Sequence, residues 1–278
     1  MTQRHQRSTF AAMFPLFSKK PPASADELRD QLNASLERAL QLRAPAVQID
    51  APEFPRIETL AISLDGAAVQ PNPQQPNFSV RDRGREILVQ LMTITGRDVD
   101  IRGATADLNL KASGVRLVEA TNSDGEIVLL FDGADSGRVE ASGAKSAIEA
   151  LIETFAKQQA GAHGVSIERV ELDLQQRGER SIAAEVRLRA RKLFVAASIR
   201  ITAQLDLDET LNARLSNLKC YGEGPFGSIA CGMLSPHLDR ANGMEFPLSA
   251  LPFAQLRVQD VQIAVGDRVA VTAEFAGS

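Results

Sequence analysis

The chain has no tryptophan, one tyrosine (Tyr221), three histidines and two cysteines in 278 residues. Each shortage excludes something. Few aromatic rings leave no stacking platform for single-stranded nucleic acid. A net charge of −4 argues against a duplex as partner. His5, His163 and His237 with two cysteines show no metal-ligand spacing, so no metal and no cofactor is expected. No apolar run has the length of a membrane span, and the stretch from Phe10 to Phe17 is too short and too broken by Pro15 for a signal peptide. Cys220 and Cys231 are too few for a disulfide framework. Two buried thiols in a reducing compartment are expected, with the protein in the cytoplasm or peripheral on the cytoplasmic membrane face.

What is present is aliphatic. Ala, Val, Leu and Ile dominate an ordinary apolar fraction of 44%, enough for a sizeable core. Residues 1–24 stand apart. They hold Arg4, Arg7, Lys19 and Lys20 and no acid, beside Phe10, Met13, Phe14, Leu16 and Phe17. This reads as a disordered tail, with residues 4–20 suited to peripheral contact with an anionic membrane. Residues 25–278 read as one elongated domain, with a subdivision near 140–165.

Ser24 stands three residues before Glu27, and Leu28, Leu32, Leu36 and Leu40 follow at intervals of four. That predicts a capped first helix over 25–42. Strands follow over 57–64, closed at Asp65-Gly66, and from Ile87 through Phe131, the first of them apolar on both faces. Asp132 to Gly143 reads as a polar connection. A second helix is expected over 144–162, with Ala147, Ile148, Leu151, Ile152 and Phe155 as its stripe. Residues from 164 on alternate cleanly, with Ala184, Val186 and Leu188 on one face and Glu185, Arg187 and Arg189 on the other. Ala197, Ile199, Ile201, Ala203 and Leu205 repeat the pattern.

The organising stretch is Tyr221 to Leu251. Pro225 suits the first turn of a helix whose stripe is Phe226, Ile229, Ala230, Met233 and Leu234, with a kink at Pro236 or an end at Ser235 and a left-handed cap at Gly243. The fold class is α+β: long antiparallel strands in a sheet that curls around helices. A curled aliphatic sheet with a helix across its mouth leaves an apolar groove.

Three segments in this order carry a resemblance: AAEVRLRARKLFVAASIRITAQL; then LSNLKCYGEGPFG with its short helix; then FPLSALP before a closing hairpin GDRVAVTAEF. The segment SGRVEASGAKSAIEALIETFAKQQ adds a linker and helix. Over about residues 80–276 the chain resembles the LmeA-type phospholipid-binding family, which is similar to the tubular lipid-binding (TULIP) superfamily. The resemblance implies a half-tube that binds phospholipid or another acyl-chain ligand, and it brings no catalytic residues. The expected lipid contacts are Ile199, Ile201 and Leu205 on the wall, Phe226, Ile229, Met233 and Leu234 on a lid helix, and Phe246, Leu248 and Leu251 at the mouth.

Other constellations carry less. Gly222-x-Gly224-x-x-Gly227 matches a dinucleotide fingerprint, but in a meander and with Pro225 removing an N–H. Its alternatives are a tight strand-to-helix turn or a lipid-phosphate contact. Ser235, His237 and Asp239 lie too close together on a helix to converge as a triad. Asp132, Asp135 and Glu140 lack calcium-loop spacing. Arg187, Arg189, Arg191 and Lys192 read as a solvated strand face or a headgroup contact. No enzyme is expected. The rival to a lipid binder is an interaction protein whose groove is closed by a partner chain or a second copy as a homodimer.

Overall fold

A computed structural model of the chain describes residues 13–72, 77, 79–101, 103–161, 165–192, 195–209, 212–247 and 256–277. Helix α1 (Ala25–Ala39) begins as its sequence dictates. Ser24 accepts the Glu27 N–H at 3.2 Å, and the Glu27 carboxylate accepts the Ala23 N–H at 2.8 Å. Leu28 and Leu32 are buried. The helix stops three residues short of the expected end because Leu40 turns extended: β2 (Leu40–Gln41) pairs with β5 (Ala68–Val69).

Leu28 and Leu32 enter a core shared with β3 (Val47–Asp50), β4 (Arg56–Ser63), β6 (Asp82–Ile101), β7 (Ala104–Thr121) and β8 (Ile127–Gly133). Its centre is Ile57, Leu60, Ile87, Val89, Val115, Leu117 and Leu129. Leu88 is 42% exposed, so β6 is not covered on both faces there, contrary to its apolar alternation. Most pairings are antiparallel, but β4 and β5 run parallel to β6. The tail reading is corrected over residues 13–22. β1 (Met13–Pro15) pairs with β8, Leu16 and Pro22 are buried, and Arg38 stacks on Phe17 at 4.5 Å. Residues 1–12 lie outside the described residues.

The polar connection expected after Asp132 is also corrected. Ser136–Ala144 form β9, a central strand between β7 and β16 (Arg268–Gly277). Its Gly, Ser and Ala residues conceal it, since they give no apolar alternation. Gly137 has a packing reason: a Cβ there would meet the Phe275 ring and the Lys111 carbonyl. β15 (Leu256–Val265) pairs with β16 and completes the sheet, whose main path runs β15-β16-β9-β7-β6-β4-β3.

α2 (Lys145–Gly161) leads from β9 into a second antiparallel sheet: β10 (Ser166–Gly178), β11 (Ser181–Lys192), β12 (Val195–Leu207), β13 (Asn212–Glu223) and β14 (Glu245–Pro247). α2 packs beside β10, where the Glu149 carboxylate accepts the Leu172 N–H at 2.8 Å. α3 (Gly224–Ala241) packs on β13 and β12. The molecule is therefore α+β, with a large antiparallel-rich sheet, a smaller antiparallel sheet and, among the described residues, three helices.

The two sheets meet where the β10–β11 turn reaches β15. Leu207 and Ala213 of the second sheet pack with Val261 and Ile263 of β15. The Glu179 carbonyl accepts the Ile263 N–H at 3.0 Å, and the Gln176 amide bonds both the Ile263 carbonyl and the Val265 N–H. Arg180 pairs with Asp260 at 2.5 Å. Backbone groups on an otherwise open strand edge are thus satisfied, which removes a template for unwanted strand pairing.

Candidate apolar binding face

Residues directly opposite one another in an antiparallel pair share a face of the sheet. Leu188 faces Ile199, and Val186 faces Ile201, which in turn faces Cys220. Val170 and Leu172 extend the same ranks onto β10, and Leu205 and Leu215 extend them toward the other end. One side of the second sheet is therefore continuously aliphatic. Val170 and Leu172 at its edge are buried. Val186, Leu188, Ile199, Ile201 and Leu205 in its middle remain only half-buried. The three predicted wall residues Ile199, Ile201 and Leu205 do share this face. Val186 and Leu188 belong to it as well, and their own alternation with Arg187 and Arg189 carries that signal.

The other side of the sheet is polar, and its cations are largely matched. Arg187 pairs with Glu185 and Arg191 with Glu168, while Arg200 stacks on the Tyr221 ring at 4.6 Å. The arginine row is an ion-paired surface, where each pair contributes little to stability.

α3 lies across the aliphatic face, and its orientation overturns the lid reading. The cysteines, expected as free thiols, form a disulfide: Cys220 of β13 joins Cys231 of α3 with their Cα atoms 5.4 Å apart. That bond fixes which side of the helix meets the sheet. Gly227 and Cys231, four residues apart, are buried against it, and Leu238 is partly covered. Ile229 and Met233 fall on the opposite side and are 60% and 70% exposed. Phe226 flanks them and is also exposed, while Leu234, seven residues after Gly227, lies toward the sheet-facing side and is only 36% exposed. Phe226, Ile229 and Met233 do share one side, as their spacing predicts, but spacing does not say which way a stripe points. Small residues form the sheet-facing side, and they let the helix backbone approach closely.

The closest approach explains the glycine motif. A Cβ on Gly222 would collide with the Gly227 carbonyl, and one on Gly227 would lie 2.9 Å from the Ser198 carbonyl oxygen. Gly224 takes a positive φ of 77° between them. The motif is a close-packed strand-to-helix turn. α3 continues through Pro236 to Ala241 and so does not end at Ser235, and Gly243 takes the left-handed conformation expected of a cap. Ser235 bonds Asp239, one turn on, at 3.2 Å, with no triad geometry.

At the mouth, Phe246 of β14 opposes Ala213, and Ala213 opposes Leu207, which places Phe246 on the aliphatic side of the sheet. It is exposed, as is Met244. Leu248 and Leu251 lie outside the described residues. Elsewhere, an open polar cleft of about 410 Å³ is lined by Asp65, Arg97, Asp107 and Glu140 among others. The Arg97 guanidinium hydrogen-bonds Asp65 and holds its carboxyl below the ordinary value. Asp107 accepts from Arg268 at 2.5 Å. Asp65 and Asp107 are thus occupied by arginines, and no cluster of metal-ligating side chains occurs among the described residues.

No family model, curated protein or solved structure matches this chain.

Among the described residues, no helix is long and apolar enough to cross a membrane.

Proposed function

We propose that this protein binds phospholipid or another acyl-chain ligand without catalysis, against the aliphatic face of its second sheet. The observation that carries this is the half-buried middle of that face. Val186, Leu188, Ile199, Ile201 and Leu205 form an uninterrupted aliphatic strip. Such a strip left partly open suits a flexible hydrocarbon chain. The resemblance to LmeA-type, half-tubular lipid binders supports the same class of ligand. The cysteine pair supports an oxidising compartment in place of the cytoplasmic setting expected from the cysteine count.

The test is native mass spectrometry of the purified protein, with organic extraction of whatever travels with it. A phospholipid or fatty acid in near-stoichiometric amount is the expected result. Leu188→Asn places an amide in the strip at a half-buried position and should remove the lipid while leaving circular dichroism unchanged. An apo-protein that also ignores fluorescent fatty acids would end this reading. A second copy closing the strip would then show as a concentration-dependent dimer.

A further inference from the structure

We infer that the outward ridge of α3 is a membrane-docking surface, and that its occupant is the face of an anionic lipid bilayer. The inference rests on the proposed lipid-binding role and adds where the protein would meet the membrane. Phe226, Ile229 and Met233 recur along one side of α3, and all three side chains are turned to solvent. The disulfide and the Gly222–Gly227 contact hold the opposite side on the sheet, so the ridge cannot roll inward while they stand. A helix in a soluble protein ordinarily buries its large apolar side chains. Here the small ones are buried and the large ones are displayed.

Two observations select the occupant. The first is area. Three partly exposed side chains offer on the order of a few hundred Å², well below the ~800 Å² per partner of a stable protein interface. A bilayer needs no complementary shape, and a short helix can lay such a ridge into the headgroup boundary. The second is charge. The same side of α3 continues to His237 and Arg240 and carries no carboxylate. Asp239 lies off the ridge and bonds Ser235. An apolar ridge that ends in a cation complements an anionic lipid surface.

The absence of tryptophan makes the test clean. Phe226→Trp creates a single fluorophore on the ridge. With phosphatidylglycerol vesicles, its emission should shift to the blue and be quenched by lipids brominated along the acyl chain. Arg240→Gln should weaken vesicle binding about fivefold, the worth of one basic residue at such a surface. Ile229→Asp with Met233→Asp should weaken it at least about tenfold. Both positions are exposed, so thermal unfolding should barely change, and co-purified lipid should be retained. Retained lipid with lost vesicle binding separates the ridge from the groove. Loss of both would make the ridge part of the ligand site and overturn the docking surface. Absent vesicle binding by the parent protein, or a blue shift that depends on protein concentration without vesicles, would overturn it as well. If no lipid co-purifies but the tryptophan still enters vesicles, the groove reading fails and the ridge stands.

Discussion

At the scale of single residues, the glycines in and around α3 have opposite meanings. Gly222 has no space for a methyl group, because the Gly227 carbonyl stands where its Cβ would be. Gly222→Ala should therefore lower stability by about 1–3 kcal/mol, the cost of forcing tightly packed elements apart. Gly232 lies inside the helix, and a methyl group added there would meet nothing within 4 Å. Gly232→Ala should raise stability by about 0.5–1 kcal/mol, since glycine is a poor helix residue. Urea unfolding of the two variants checks both signs, and an equal response would remove the packing account of the motif. The sequence shows Gly222-x-Gly224-x-x-Gly227 plainly, yet the string is compatible with a phosphate cradle or a close contact. Only the distance from Gly222 to the Gly227 carbonyl separates them.

At the scale of elements, legibility follows the strength of the local pattern. α1 is readable because its cap and its leucine spacing are local. The alternation of β11 and β12 is readable for the same reason, and with it the aliphatic wall. β9 is hidden because its small residues are chosen by neighbours far away in the chain, Phe275 above all. The direction of α3 is hidden because a helical stripe has a period but no address. The disulfide gives the address, and a pairing eleven residues apart is settled by the turn between strand and helix. Cross-linking a loop of that length is worth about 3 kcal/mol in the chain-entropy account. With a small-residue inner face, α3 has little apolar burial to replace it. Cys231→Ser should therefore loosen α3 before the rest of the fold. Amide exchange should accelerate across 226–241 while β6 and β7 stay protected. Uniform acceleration throughout the chain would contradict this.

At the scale of the whole molecule, the junction between the sheets depends on charge. The hydrogen bond from Arg180 holds the Asp260 carboxyl below its ordinary value, helped by Gln262. A group whose folded pKa is depressed stabilises the fold above its unfolded value, and that contribution fades as pH falls through the folded value. The junction should thus be at full strength above the ordinary Asp value of 3.8 and weaken in more acidic solution. Asp206 acts in the same direction near the β11–β12 end. Burial pushes its carboxyl up, but hydrogen bonds from Ser181, Gln204 and Ser216 outweigh burial and bring it down. Asp260→Asn should flatten the acid limb of the thermal-stability profile below about pH 4. An unchanged limb would show that the junction is held by its apolar contacts and by the uncharged hydrogen bonds of Glu179 and Gln176.

The order in which the strands are made differs from the order in which they pair. β9 is synthesised early, but one of its two neighbours, β16, follows only after the entire second sheet: Ala144 pairs with Arg268. A nascent chain therefore carries a half-finished first sheet with the β9 edge open while the second sheet is being made. Late closure of a distant pairing slows folding and leaves that edge available to wrong partners. The larger sheet stays unfinished until the closing hairpin docks. A chain stalled before β15 should be the species that chaperones hold and that aggregates.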